Sequence, residues 1–262
     1  MIRALYTAAS GMSAQQTNLD TVANNLANSA TAGFRQRQVQ FQDMIYQNLI
    51  TPGSAETQQT LSAGLQVGLG TKTAASEVIM TQGDPNNTGN PYDIEIQGAG
   101  FFQISLPDGT IAYTRAGNFH LNSQGTIVTT NGDTVLPAIT IPSNATNVMI
   151  SQYGVVTATL PGQTNAAQLG TIQLATFPNP GGLSSTGGNL MQQTASSGNP
   201  ITDAPGGTSG IGTLQQGYLE NSNVDVVAEF VQMILAQRAY ESNSKVIHVA
   251  DDMYSQINGL IR

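Results

Sequence analysis

The sequence predicts an α+β fold: terminal N- and C-helices forming a coiled-coil-like α domain, a central antiparallel β domain, and an extended arm between them. Three observations predict it. Apolar or small residues recur at Ile2, Leu5, Ala9, Met12, Leu19, Ala23 and Leu26, an alternating three-and-four step broken only by Gln16. That is the seam of a coiled helix. A second stripe of the same kind closes the chain at Val224, Ala228, Val231, Leu235, Ala239, Val246, Val249, Met253, Ile257 and Leu260. The long stretch between them is rich in Gly, Thr, Asn and Gln and shows strand-like alternation.

The first helix is expected to run to about Asn28, with Gly33 supplying a permissive backbone beyond its end. Residues 34–49 read as a short helix or an extended arm. From Ile50 to Gly70 the chain is low in charge and broken by Pro52, Gly53, Gly64, Gly68 and Gly70. A connection of that length is either functional or disordered. Strands then dominate. Asp93-Ile-Glu-Ile-Gln and Phe102-Gln-Ile-Ser-Leu alternate, Pro107-Asp-Gly109 sets a turn, and Asn131-Gly132 signals a hairpin. Residues 178–213, rich in Gly, Ser and Pro, read as a surface loop. The last helix is expected to begin after Asn221-Ser-Asn223, with Ser222 as its N-cap and the Asp225 carboxylate in the first turn. The domains expected are 1–33 with 215–262 as the helical part, 34–72 as the arm, and 73–214 as the β domain.

Composition narrows function. Of 262 residues only 9% are charged, and the net charge is −8, where an ordinary soluble domain is about 25% charged. The only cation between Thr73 and Gln237 is Arg115. A nucleic-acid surface needs clustered Lys and Arg, so nucleic acid is excluded as a partner and acidic lipid surfaces are disfavoured. The absence of Cys removes disulfides, thiolate metal sites and thiol catalysis together. The first residues carry no apolar core of signal-peptide length, and no later run approaches a membrane span. Any export is therefore expected to use a route that reads no cleaved signal, and no membrane insertion is expected.

Candidate catalytic groups are few. His120 and His248 have no metal-ligand partner at helical or hairpin spacing, and both read as surface or packing residues. Asp93 and Glu95 would lie on one strand face about 7 Å apart, near glycosidase geometry. Alternation with Ile94 and Ile96 is also how a half-buried strand exposes its polar face. Asp251-Asp252 lacks the further oxygen ligands of a calcium site. The Gly64–Gly70 and Gly98–Gly100 segments sit in no βαβ unit and read as turns. No enzyme, no metal and no cofactor is expected. A one-sided helical stripe must be buried, yet such helices are marginal alone. The two ends are therefore expected to order on assembly with other copies.

The motifs point to a family. Ser10-Gly11-Met12, Leu19-Asp20, Val22-Ala-Asn24-Asn25-Leu-Ala-Asn28 and Thr31-Ala-Gly33-Phe34-Arg35 resemble the N-terminal signature of the bacterial flagellar rod and hook axial proteins. Gly217-Tyr-Leu-Glu-Asn-Ser-Asn-Val224, Gln237-Arg238-Ala-Tyr240-Glu241 and Asn243-Ser-Lys245 resemble its C-terminal motif. The blocks Asp93–Phe102 and Tyr113–Phe119 are similar to its β domain. The resemblance covers both ends and the core. The segment from Tyr46 through Pro52, Gly53, Gly64, Leu65, Gly68 and Gly70 looks like the insertion of the family's distal-rod subunits. It implies a stiffening element that bridges neighbours in a helical homopolymer. By the same resemblance the chain leaves the cell interior through the flagellar type III export apparatus. The expected partners are proximal rod proteins, the hook protein or its junction, P-ring and L-ring proteins and a rod cap. The expected place is the basal body, spanning periplasm to outer membrane, where the polymer carries motor torque. A hook or proximal rod subunit, and a periplasmic glycan-acting enzyme using Asp93 and Glu95, are the alternatives.

Overall fold

The computed structural model describes residues 2–50, 55–56, 59–60, 64–162, 166–207 and 210–260. These divide into two compact units, one made of 1–27, 37–78 and 225–262, the other of 28–36 and 79–224.

The first unit contains two long helices, α1 (Ile2–Ala27) and α2 (Val226–Leu260), and a β ribbon. The helices pack antiparallel. A Cβ on Gly11 would lie 2.8 Å from the Asn243 side chain, and Asn25 Nδ2 donates to Glu229 Oε1 at 3.3 Å. The interval between the two contacts is the same on both helices, so the register is regular. Glu229, Ala236 and Ala250 are buried, with half-buried Asn243 between them at the same seven-residue step. On α1 the buried positions are Ala8, Ala14, Val22 and Asn25. The seam is thus small and polar. It is not the apolar stripe the sequence pointed to.

The ribbon is a long antiparallel hairpin. Arg37–Asp43 pairs with Thr71–Val78, Tyr46–Ile50 with Leu65–Gly68, and Ala55–Glu56 with Gln59–Thr60. The arm expected over 34–72 is extended, and its return strand runs to Val78, beyond the expected boundary. Asn25 fixes the ribbon's root to α1: its Nδ2 donates to the Arg37 carbonyl at 2.8 Å, and its Oδ1 accepts the Arg37 N–H at 2.9 Å. Ser10 Oγ accepts the Thr71 N–H at 3.4 Å on the other strand.

The second unit is antiparallel β throughout. Its nine-stranded sheet is built on Phe101–Ser105, which pairs with Ile111–Thr114, Thr134–Leu136 and Leu174–Thr176. The turn at Pro107-Asp-Gly109 and the hairpin at Asn131-Gly132 fall where expected: Gly109 N–H reaches Leu106 O and Gly132 N–H reaches Thr129 O. A three-stranded sheet (Asn147–Ile150, Val155–Thr159, Ala167–Thr171) adds its inner face to the core. Phe102 and Phe119 meet edge-to-face at 4.9 Å in that core, beside Ile94, Ile96, Ile104 and Leu174.

Four readings are corrected here. Residues 178–213 are not a loop alone, since Ser184–Gly187, Leu190–Gln192 and Ile201–Asp203 are strands. They escaped notice because the first of them is exposed along its whole length and carries no apolar alternation. Residues 215–224 pair in the β unit, Thr213–Gln216 with Ile94–Gln97 and Tyr218–Glu220 with Pro85–Asn87, rather than joining the helices. The cap of α2 is Asp225, whose Oδ1 accepts the N–H groups of Val227 and Ala228 at 2.9 and 3.2 Å. Ser222 instead caps its own turn, accepting from Val224 N–H. Val224 therefore precedes the helix and cannot belong to its stripe.

Candidate assembly interface

The predicted stripe on α2 is largely uncovered. Val231 and Leu235 are 51% and 58% exposed, and Val246, Val249, Met253 and Ile257 are exposed as well. Ala228 is exposed and Ala239 half-buried. Val227, Phe230 and Ile234, which the three-and-four pattern passed over, widen the band. On α1, Leu5, Met12, Leu19 and Leu26 are half-buried, while Ala9 and Ala23 are exposed. The side-chain placements of Ile2 and Leu260 lie outside the described residues. A contiguous apolar band on a protein surface marks an interaction site.

The ribbon offers a second such surface. Tyr46, Leu49, Ile50 and Leu65 are all exposed. The Tyr46 ring lies across from Gly68, close enough that a Cβ there would touch it at 3.4 Å. A two-stranded ribbon is marginal in water by itself, and one with this much exposed apolar surface calls for a covering partner. Gly64 and Gly70 bracket the return strand, whereas Pro52 and Gly53 lie outside the described residues.

The family-motif positions separate into two groups. Ser10, Gly11 and Asn25 make the helix seam and the ribbon root described above. Gly33 serves the β unit: its φ is +68°, and a Cβ there would lie 2.6 Å from the Ala116 backbone nitrogen, so no other residue fits. Asn28 Oδ1 accepts from Thr31 Oγ1, and Phe34 O accepts the Asn223 N–H. The remaining positions, Asp20, Asn24, Gln237, Arg238, Tyr240 and Glu241, are exposed on the helices. Arg238 and Glu241 meet at 3.2 Å in a solvated pair that adds little stability.

The strongest polar cluster was not foreseen. Glu220 is buried and receives Arg35 Nη1 at 2.6 Å and Arg115 Nε at 2.8 Å. The Gly83 N–H donates to the same carboxylate at 2.9 Å. Arg115 also donates to Gly100 O and Ile96 O. Beside it, Asn223 ties together the Phe34–Gln36 and Ile79–Thr81 segments of the β unit. Its Oδ1 accepts the Gln36 N–H and its Nδ2 donates to Ile79 O and Thr81 O. One signal was available: a lone cation in so long a stretch implies a committed partner.

Asp93 and Glu95 are not on a polar face. They are 6% and 1% exposed, because their strand is covered on both sides. Asp93 accepts from Thr88 Oγ1 and Asn90 Nδ2, and Glu95 Oε1 accepts from Gln82 Nε2. Such carboxylates present no surface to a glycan. His120, His248, Asp251 and Asp252 are exposed, and no acidic or histidine cluster that could hold a metal occurs among the described residues.

Glu95 has a consequence for stability. Burial raises its pKa above the ordinary 4.5 and Glu220 adds to the rise, against the opposing pull of Gln82 and Arg115. A raised folded-state pKa makes the unfolded chain the first to ionise, so stability falls as pH rises from about 4.5 through the folded value. Glu95→Gln, isosteric with the protonated acid, is expected to match the parent below about pH 4 and to exceed it at neutral pH. Urea midpoints at several pH values check this, and a difference independent of pH would refute it.

Similarity to known proteins decides the identity. A family model described as flagella basal body rod protein matches residues 5–35. One described as flagellar hook protein FlgE/F/G D1 domain matches 95–158, and one described as flagellar basal body rod FlgEFG protein C-terminal matches 215–260. The flagellar basal-body rod protein FlgG of Caulobacter vibrioides is 49% identical over 96% of this chain and 97% of its own length. Those of Borreliella burgdorferi and Bacillus subtilis are 47% and 39% identical over the whole of both chains. The chain belongs to the flagellar basal-body rod protein family. Within it the chain is most like FlgG, whereas a FlgF from Mesorhizobium japonicum is 33% identical over 93% of the chain. Arg35, Arg115 and Glu220 each come from a different one of the three matched segments. The β ribbon lies between the first two.

Proposed function

We propose that this rod protein is the distal-rod subunit, polymerising helically through the apolar band of α2 into a rigid shaft. It is a structural subunit of the flagellar rod. The observation that carries the polymer reading is the division of faces on α2: the hairpin seam uses Glu229, Ala236 and Ala250, leaving Val231, Ile234 and Leu235 uncovered. A chain that closed on itself would bury its greasiest face first. This one keeps that face for contacts with other copies. The small, polar seam also gives the hairpin little apolar burial of its own, which supports completion of its order on assembly.

On this reading the shaft crosses the periplasm toward the outer membrane and transmits motor torque to the hook. Its neighbours are proximal rod proteins at one end, the hook protein or its junction at the other, and P-ring and L-ring proteins around it. Subunits arrive through the type III export apparatus and add beneath a rod cap. The chain acts as a structural element and not as an enzyme. No described helix is long and apolar enough to cross a membrane. A surface of neutral polar groups with few charges suits a shaft turning within a ring.

The ribbon supports the distal assignment. Its exposed Tyr46, Leu49, Ile50 and Leu65 are placed to bridge neighbouring copies and so to resist bending. Deleting residues 46–70 is expected to leave filaments that assemble but curve, measured as persistence length in electron micrographs. Filaments as straight as the parent's would remove the ribbon from stiffness and favour a proximal-rod or hook reading.

A further inference from the structure

A second feature of the β unit lies beside its buried ion cluster. A cavity of about 80 Å³ is lined by Arg35, Arg115, Gly98, Gly100, Phe101 and Thr176, among others. Gly98 and Ala99 are exposed at its mouth, while Arg35, Arg115, Gly100 and Phe101 are buried. The charges that line it do not balance. Two guanidinium groups line it and share the carboxylate of Glu220, Glu95 acts on Arg115 from further off, and neither acid is part of the lining. Arg115 is fully engaged, by Glu220, Gly100 O and Ile96 O. Arg35 is not: its Nη1 reaches Thr81 O and Glu220, but its Nε is buried with no hydrogen-bond partner.

A buried donor left unsatisfied is costly, the more so on a charged group. Buried charges are normally paired or coordinated. An orphaned guanidinium N–H, a lining with two cations and no acid, and an adjoining hollow thus have one common remedy. The volume is also suitable, since a water molecule's share of liquid is about 30 Å³ and a halide or carboxylate group is of comparable size. Phosphate or sulfate would bring more negative charge than the orphaned N–H calls for. Burial pulls Arg115 below its ordinary pKa, with Arg35 pushing the same way and Glu220 and Glu95 opposing.

We propose that this cavity binds one small monovalent anion, a halide or a carboxylate, held by Arg35 beside the Gly98–Phe101 turn. The anion comes either from solution or from an acidic side chain of a second copy, which the chain's 16 Asp and Glu residues make plentiful.

The test melts the full chain, kept monomeric by dilution, in sodium gluconate with increasing bromide or acetate at constant ionic strength, so that screening is unchanged. The expected result is a saturable rise in melting temperature of about 2–4 °C. Thr176→Asp, carrying its own carboxylate into the cavity, should melt higher without added anion and gain nothing further from bromide. Anomalous scattering from a bromide-soaked crystal of the parent should place the ion beside Arg35, and this readout does not depend on the variant folding. Assembled filaments then identify the source. Bromide protection that persists in filaments assigns the site to a solution anion, and protection confined to the monomer assigns it to a neighbour's carboxylate. A parent chain indifferent to both anions, an undiminished response in Thr176→Asp, or no bromide beside Arg35 would overturn the proposal.

Discussion

Glu220→Ala is expected to lower the melting temperature of the β unit by about 6–20 °C. The side chain is buried, and two guanidinium groups and the Gly83 N–H converge on its two oxygens within 2.9 Å. Its removal strands Arg35 and Arg115 inside the protein without the carboxylate that pairs them both. Breaking one buried pair by deleting a partner costs about 3–5 kcal/mol, against a total of about 5–15 kcal/mol for a domain. At about 2–4 °C per kcal/mol for a unit of this size, that is a large share of the margin, and the whole of it only at the low end of that range. Glu220→Gln, which keeps an acceptor but not the charge, should fall between parent and alanine. Replacing Arg35, Arg115 and Glu220 together by Met, Met and Leu removes the stranded charges and should recover part of the loss. Recovery stays partial because Gly100 O and Ile96 O lose the donors that Arg115 supplied. Thermal melts of the four proteins check the ordering. An alanine variant within about 3 °C of the parent would mean that water reaches the cluster freely, contrary to its burial.

The contrast between this cluster and the helical ends shows what the sequence could and could not convey. Helices and strands announced themselves by period, because Ile94, Ile96, Phe102 and Ile104 are spaced for a buried sheet and Val231, Leu235 and Val246 for a helix face. The turns at Gly109 and Gly132 followed from local backbone chemistry. Partnership did not. Arg35, Arg115 and Glu220 are far apart in the chain, and nothing local says that they meet. The acids at 93 and 95 misled for a related reason: alternation shows which residues share a face, not whether that face is later covered by Gln82 or Thr88. The helix seam was the least legible. Periodicity finds the apolar stripe, and on α2 most of that stripe is what the hairpin leaves open. The intramolecular seam runs through Gly11, Asn25, Ala236 and Asn243, residues that no hydrophobicity argument selects. They are nevertheless the small and amide-bearing groups that let two helices approach closely.

Leu235→Asp is expected to abolish filament formation while leaving the monomer's melting unchanged. Leu235 is 58% exposed and adjoins Ile234 and Val231 in the uncovered band, so a carboxylate there meets water in the free chain. In a polymer that buries the band, the same carboxylate loses its hydration and displaces a side chain worth about 1.5–3 kcal/mol of burial. A combined penalty of about 4 kcal/mol raises the critical concentration roughly a thousandfold, enough to remove filaments at any practical concentration. The neighbouring residue supplies the opposite test. Ala236 is 2% exposed in the hairpin seam, so Ala236→Leu overpacks that seam and destabilises the helical unit by about 1–3 kcal/mol. Sedimentation and electron microscopy read the first variant, circular dichroism the second. Filaments of undiminished length from Leu235→Asp would place the polymer contact elsewhere, and the uncovered band would lose its claim to be the assembly surface. Adjacent residues on one helix should thus fail in opposite ways: one leaves a sound monomer that cannot assemble, the other a weakened monomer whose assembling face is intact.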